Sequence, residues 1–203
     1  TVNGGDVSVY SYDDCMNASK SIVINGGNIY CYSSGNDGVD SNGTLTITGG
    51  TIVSIGTTSP EEGFDCDQNT FKITGGTILG IGGGTSTPTS SVCTQRTVIY
   101  GGSGSKGPLL SIQGSDQVMS YTIPRAYSQM TLLFSSSKLA SGTTYTIYTG
   151  GSVTGGTEFY GLTVGGTYTT GSQVATFTPS SMVTSVGNVS SGGPGGGGGG
   201  WHW

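Results

Sequence analysis

The stretch Asp37-Gly-Val-Asp-Ser-Asn-Gly-Thr-Leu-Thr-Ile-Thr-Gly-Gly50 contains the pattern that decides the fold. A similar stretch follows it as Glu62-Gly-Phe-Asp-Cys-Asp-Gln-Asn-Thr-Phe-Lys-Ile-Thr-Gly-Gly76. Each copy begins with an acidic turn, continues with alternating apolar and polar residues, and ends in a Gly-Gly pair. Alternation with a period of two is typical of a half-buried β-strand. The repeat predicts a fold built from similar units, and its acidic turns indicate a metal site.

Gly-Gly pairs recur at regular distances along the first half of the chain. They fall at 4–5, 26–27, 49–50, 75–76 and 101–102, in steps of 22, 23, 26 and 26 residues. A fixed period of this length, with two short strands in each unit, is typical of a solenoid. We expect an all-β chain folded as a right-handed parallel β-helix, with Gly-Gly at a bend between two faces of each coil. The alternative is a β-sandwich with Gly-rich hairpins, but a sandwich does not require such regular spacing.

The composition limits the class of protein. The 203 residues include 40 Gly and only 8% charged residues, and the net charge is -5. Lys and Arg are scattered singly, so the chain lacks the basic stripe that is typical of nucleic-acid binding. It also lacks an apolar run long enough to span a membrane. Thr, Val, Ile and Tyr favour strands, and the length allows one domain.

The chain divides into three segments by its pattern. Residues 1–107 contain the regular coils with acidic turns, and residues 108–189 are expected to form irregular C-terminal coils or a cap. Residues 190–203 are a Gly-rich tail that ends in Trp-His-Trp. Trp201 and Trp203 are candidate anchors on a neighbouring subunit. Such a contact, repeated end to end, would build an extracellular filament, and the sequence leaves this open as one possible function.

The acidic turns of the first three coils form two columns when they are aligned on the Gly-Gly pair that follows each. Stacked carboxylates repel one another and have raised pKa values unless a cation lies between them. Ca²⁺ takes six to eight oxygen ligands from carboxylates, amides and backbone carbonyls, so we expect calcium here. The alternative is a set of solvated turns, in which Asp and Asn merely favour turn geometry. The first column is Asp14, Asp37 and Glu62, the second is Asn17, Asp40 and Asp65, and Asp67 is a further candidate ligand.

The four cysteines show no Cys-x-x-Cys spacing, which makes a zinc site improbable on this pattern. An even number of cysteines in a β protein rich in Thr, Ser and Gly predicts disulfides and a secreted or cell-surface location. Four cysteines allow three pairings. The coil register favours Cys66 with Cys93, which leaves Cys15 and Cys31 on neighbouring coils at unlike offsets.

The sequence segments that contain the acidic turns resemble those of a known protein family. Asn36-Asp-Gly-Val-Asp-Ser-Asn-Gly43 and Glu61-Glu-Gly-Phe-Asp65 are each followed by Ile-Thr-Gly-Gly-Thr-Ile, and Ser141-Gly-Thr-Thr-Tyr-Thr-Ile-Tyr-Thr-Gly-Gly151 lies further along. These segments are similar to the secreted bacterial carbohydrate-binding β-helix proteins. That family is related in fold to pectate lyases and includes polygalacturonate- and cellulose-binding members.

The resemblance implies a calcium-binding β-helix that attaches to acidic plant polysaccharide without cutting it. It also implies that Asp37, Asp40, Glu62 and Asp65 belong to calcium turns. The first coil departs from the family pattern, because Cys15 stands where the family's turn prefers Gly.

The predicted function is therefore calcium-assisted binding of extracellular polysaccharide, in which the ion bridges the acids of the protein and those of the glycan. Lyase activity would require Arg or Lys beside the ion to remove a proton. No paired basic residues follow the acidic turns, so we do not expect an enzyme. Four tyrosines are expected to be exposed and to offer surfaces on which sugar rings stack: Tyr10, Tyr12, Tyr30 and Tyr32.

Overall fold

The structure, a computed structural model, describes residues 1–191 and contains a β-solenoid of about three turns. No helix occurs among these residues, so the prediction of an all-β, parallel β-helix fold is confirmed. Each of the three coils contributes three strands. They are β1 (Asp6–Ser11), β2 (Met16–Ala18) and β3 (Ser21–Ile24); β4 (Asn28–Ser33), β5 (Val39–Ser41) and β6 (Thr44–Ile47); and β7 (Thr51–Ile55), β8 (Phe64–Asp65) and β9 (Phe71–Ile73).

Corresponding strands of successive coils pair in parallel and form the three faces of the solenoid. β2, β5 and β8 form one face, and β3, β6 and β9 form another. On the third face, β10 (Thr77–Gly82) pairs in parallel with β7 and extends the series β1, β4 and β7. Residues at equal distances from the Gly-Gly pairs lie side by side, because the backbone hydrogen bonds between coils hold them in register.

On this face, the parallel pairing of successive strands ends at β10. Strand β14 (Tyr127–Ser135) pairs with β10 in the antiparallel direction, and the seven-stranded sheet continues through β11 (Thr97–Gly104) to β21 (Val183–Gly187). We call this seven-stranded sheet the long sheet. The remaining strands are β11 (Thr97–Gly104), β12 (Leu109–Gln113), β13 (Gln117–Thr122), β14 (Tyr127–Ser135), β15 (Tyr145–Thr149), β16 (Ser152–Thr154), β17 (Thr157–Phe159), β18 (Leu162–Val164), β19 (Thr167–Thr169), β20 (Ser172–Phe177) and β21 (Val183–Gly187).

Most of the C-terminal strands form a second sheet rather than further coils. Six of them pair in the antiparallel order β17-β18-β13-β12-β15-β20, which we call the outer sheet, and β16 and β19 form a separate pair. The outer sheet packs on the outward face of the long sheet. Val53 and Leu79 of the long sheet lie in one buried cluster with Leu110 and Tyr121 of the outer sheet.

The solenoid interior is a second apolar cluster, built from the alternate residues of the same strands. Ile52 of β7 and Ile78 of β10 face this interior, whereas their neighbours Val53 and Leu79 face the outer sheet. Strands buried on both faces explain why the apolar runs of the long sheet are nearly continuous.

The last of the five Gly-Gly pairs does not mark a bend. Gly101 and Gly102 lie inside β11, where both are paired with β14. A Cβ at Gly101 would lie 2.0 Å from the carbonyl oxygen of Asn188. This pair therefore allows close approach of the backbone, which is a different use of glycine from a bend.

The described residues contain no helix of the length and apolarity needed to cross a membrane.

The bend glycines give a graded stability prediction. Gly50 has φ +98°, and a Cβ there would lie 2.6 Å from the carbonyl oxygen of Gly27. Gly5 has φ +88° with open space around it, and Gly4 has open space without a positive φ. We expect Gly5→Ala to cost about 1–2 kcal/mol and Gly50→Ala roughly 2–4 kcal/mol, because a steric clash adds to the backbone strain. Gly4→Ala is the control, and urea unfolding measures the series. Equal effects of Gly5→Ala and Gly50→Ala would contradict the close stacking of the bends.

Candidate metal centre

The second acidic column forms where the predicted coils stack. Asn17 pairs in register with Asp40, and Asp40 pairs with Asp65. These residues belong to β2, β5 and β8, and the parallel pairing of these strands aligns their side chains. The predicted alignment of this column is confirmed.

The first column lies in the turns that precede those strands. The amide of Asp37 donates a hydrogen bond to Oδ1 of Asp14 at 3.2 Å, and the amide of Glu62 donates to Oδ1 of Asp37. Asp14 and Asp37 therefore each satisfy a backbone donor in the next coil. The same contacts keep the three acidic residues stacked, as the repeat predicted.

Three carboxylates converge at the first two coils. Asp14, Asp37 and Asp40 each offer an oxygen, and these three oxygens all lie within 4.8 Å of one another. Nδ2 of Asn17 donates to Oδ2 of Asp14 at 2.9 Å and to Oδ2 of Asp40 at 2.6 Å. The amide nitrogen of Asn17, rather than its oxygen, therefore faces these two carboxylates. Oxygens bound to one Ca²⁺ at 2.3–2.6 Å lie no more than about 5 Å apart. The group therefore has the dimensions of a single cation site.

Glu62, in the third coil, is a buried acid whose hydrogen bonding is incomplete. Its side chain is only 3% exposed, and its Oε2 atom has no hydrogen-bond partner. A buried carboxylate oxygen without a partner costs free energy unless a proton or a cation compensates. By contrast, Asp65 accepts hydrogen bonds from the hydroxyl of Ser86 at 3.0 Å and from the amide of Asp67 at 2.9 Å.

The buried acids have raised pKa values. Burial is the main cause, and it raises the pKa of Glu62 to about 9, that of Asp37 to about 8 and that of Asp40 to about 7. Repulsion from neighbouring carboxylates raises these values further. The principal causes of these shifts include no Lys or Arg. A bound divalent cation would oppose both causes, because it stabilises the ionised carboxylates.

Two of the tyrosines predicted to bind sugar are open to solvent. Tyr10 is 67% exposed and Tyr12 is 83% exposed. The ring of Tyr12 lies against Gly35, where a Cβ would meet ring atoms at 3.1 Å. Next to Gly35, Nδ2 of Asn36 donates to Oδ1 of Asp13 at 2.7 Å. An exposed aromatic ring therefore lies beside the acidic turns.

The other two tyrosines are covered, which corrects the expectation that all four are exposed. Tyr30 is 8% exposed, and its ring stacks on Tyr160 with the centroids 3.8 Å apart. Tyr32 is half-buried, and the guanidinium of Arg125 lies 4.6 Å from its ring centroid. Tyr160 follows β17 of the outer sheet, so the covering of Tyr30 results from the packing of the two sheets.

The four cysteines are free thiols in this structure. The predicted Cys66–Cys93 bond is absent, because the two sulfur atoms approach different backbone groups. Sγ of Cys66 lies 3.4 Å from the carbonyl oxygen of Asn69, whereas Sγ of Cys93 lies 3.3 Å from the amide of Ile73. Cys15 and Cys31, in contrast, are close neighbours, because each is the largest influence on the pKa of the other thiol.

Some residues of the site escaped prediction, and some predicted residues lie elsewhere. Ser86 contacts Asp65 from a segment that forms no strand, so no repeat pointed to it. Asp67 has φ +48° and is not one of the three converging carboxylates. The proposed anchors Trp201 and Trp203 lie outside the described residues.

In comparisons with known proteins, no family model, no curated protein and no solved structure matched this chain.

The raised pKa values predict an unusual dependence of stability on pH when divalent cations are removed. The folded-state pKa values of Asp37, Asp40 and Glu62 exceed the ordinary values of 3.8 and 4.5, so the folded state binds protons that the unfolded state has lost. Their contribution to stability is complete below about pH 4 and is lost as the pH rises through about 7 to 9. With a chelator present, we expect the urea midpoint to fall between pH 5 and pH 9.

The variant Glu62→Gln tests whether the titration of Glu62 contributes to this fall in stability. It keeps the shape of the side chain but removes its titration, so the fall in stability with pH should become shallower. Glu158→Gln, at an exposed glutamate of the outer sheet, is the matched control and should leave the slope unchanged. A chelated wild-type protein that becomes more stable between pH 5 and pH 9 would contradict the raised pKa values.

Proposed function

We propose that this protein is an extracellular, non-catalytic β-helix that holds Ca²⁺ in its acidic columns and attaches through the ion to acidic polysaccharide. The convergence of carboxylate oxygens from Asp14, Asp37 and Asp40 within 4.8 Å of one another carries the proposal. The buried Oε2 of Glu62, one coil from Asp37 and without a hydrogen-bond partner, supports it. Solvated acidic turns do not require a buried carboxylate with one unpartnered oxygen, and either a proton or a cation would compensate that oxygen.

The ligand chemistry supports calcium rather than a softer metal. Asp14, Asp37 and Asp40 provide only oxygen, and carboxylate oxygens suit hard cations such as Ca²⁺ and Mg²⁺. Three carboxylates leave part of a six- to eight-oxygen shell for backbone carbonyls, water or a further ligand. Asp14 is only partly buried, so a ligand from solvent can reach this side of the group.

The surface beside the acids supports an acidic glycan as that ligand. The chain has a net charge of -5, so a polyanion needs a bridging cation to approach the acidic turns. Tyr12 offers an exposed ring next to Asp13 and Asp14, where the apolar face of a sugar ring can stack while its carboxylate reaches the ion. Tyr10 provides a second exposed ring on β1.

The sequence resemblance supports the same function. The acidic-turn phrases around Asp37 and Glu62 are similar to the calcium turns of the secreted bacterial carbohydrate-binding β-helix proteins. We infer a polygalacturonate-like chain as the glycan, because its carboxylates can ligate the proposed ion while its sugar rings stack on the exposed tyrosines.

Calcium titration and glycan pull-down test the proposal together. We expect the wild-type protein to bind Ca²⁺ by calorimetry, and to bind insoluble polygalacturonate with Ca²⁺ but not with a chelator. Asp14→Asn should weaken Ca²⁺ binding by roughly 10-fold or more, because it removes a charged ligand. Tyr12→Ala should leave Ca²⁺ affinity unchanged and weaken glycan binding by roughly 3- to 10-fold.

Matched controls separate the site from general charge and hydrophobic effects. Asp116→Asn removes an exposed acid, and Val174→Ala truncates an exposed apolar side chain of the outer sheet. Both variants should behave like the wild-type protein. Glycan binding that persists in a chelator would contradict calcium bridging, and a chain that binds no Ca²⁺ would contradict the metal site.

A further inference from the structure

Cys15 and Cys31 bring two thiols together beside the candidate metal centre. We propose that they form a redox-sensitive cross-link, which ties the first coil to the second and fixes the Asp14 ligand. Cys15 directly follows Asp14 in the chain, and Cys31 lies on β4 of the second coil. The effect on cation binding rests on the proposed function, whereas the cross-link itself does not.

The contacts around Cys15 place its sulfur next to Cys31. Sγ of Cys15 lies 3.7 Å from the carbonyl oxygen of Val9, and Val9 is the register partner of Cys31 on the adjacent strand. Cys31 is also the largest influence on the pKa of Cys15, which it lowers, so the two thiols lie close together. Both side chains belong to the apolar interior of the solenoid.

The difference in accessibility of the two thiols sets the order of the reaction. Cys15 is partly exposed, whereas Cys31 is fully buried. The Cys15 thiolate therefore attacks a sulfur of a low-molecular-weight disulfide and releases one thiolate, which leaves a mixed disulfide on Cys15. Cys31 then loses its proton, attacks the Cys15 sulfur and releases the second thiolate. The two protein thiols lose two electrons in total, and the external disulfide is reduced to two thiols.

The cross-link acts on the part of the solenoid that carries the acids of the first coil. It closes the chain from Cys15 to Cys31 and so restricts the unfolded state and local opening of the first coil. It also holds the turn of Asp13 and Asp14 against the second coil, which carries Asp37 and Asp40. A ligand set that is already in place loses less entropy when it binds an ion.

Treatment of the folded protein with oxidised glutathione tests the cross-link. We expect the intact mass to fall by two hydrogens and peptide mapping to find Cys15 joined to Cys31, with Cys66 and Cys93 still available for alkylation after unfolding. The melting temperature should rise by about 5 °C or more on oxidation. Cys15→Ser should abolish both changes, and Cys93→Ala, at a cysteine outside the pair, should retain them.

Two results would overturn the cross-link. One is a stable glutathione adduct on Cys15 that never resolves, and the other is a native protein in which Cys15 is alkylated by iodoacetamide but never oxidised to the pair. Peptide mapping of the wild-type protein gives this answer even if a cysteine variant fails to fold.

Calcium titration of the reduced and oxidised forms tests the link to the metal centre. We expect the oxidised form to bind Ca²⁺ roughly 3-fold or more tightly. Equal affinities in the two forms would overturn the coupling. Absence of Ca²⁺ binding in both forms, with the Cys15–Cys31 peptide present, would overturn the proposed function and leave the cross-link established.

Discussion

Backbone hydrogen bonding between coils places residues of equal offset about 4.8 Å apart, and every other feature of this protein depends on that spacing. Ile24 lies beside Ile47, and Ile47 lies beside Ile73, so one apolar position repeated in sequence becomes a continuous apolar column. The same register stacks Asp40 on Asp65. Repetition stabilises the interior in the first case and accumulates like charge in the second.

The free-energy cost of stacking like charges is the reason for proposing a metal site at the acidic columns. The turns use carboxylates to satisfy backbone amides of the next coil, as Asp14 does for Asp37. Uncharged Asn or Ser side chains accept such hydrogen bonds without repulsion. The buried, incompletely satisfied Glu62 is harder to explain by turn geometry alone. A divalent cation would compensate both the burial and the repulsion, and this is the basis for proposing that the columns are a ligand set.

The outer sheet decides which part of the solenoid surface remains available. It covers the outward apolar side chains of the long sheet, including Val53 and Leu79, and it brings Tyr160 onto Tyr30. Tyr10 and Tyr12 of the first coil remain exposed. The exposed rings and the converging carboxylates consequently lie at the same end of the molecule, where Cys15 and Cys31 also meet. The proposed glycan contact, the proposed cation site and the proposed cross-link would therefore lie close to one another.

Much of the fold and part of the site were predictable from the sequence, because a solenoid converts spacing along the chain directly into neighbours in space. The Gly-Gly period determined the parallel coils, and the alternation determined which side chains point inward. The offsets of Asn17, Asp40 and Asp65 determined the second acidic column. Periodicity stops being informative at β10, so the antiparallel outer sheet followed from no repeat.

Only the tertiary structure decided that Tyr30 is buried, that the Gly101–Gly102 pair lies within a strand, and that Cys66 and Cys93 face different groups. Each of these depends on contacts between segments that are distant in sequence and share no period. Register along a repeat is set locally by backbone hydrogen bonds. The packing of the outer sheet on the long sheet is driven by burial of apolar surface, which is non-directional and so cannot be derived from spacing along the chain.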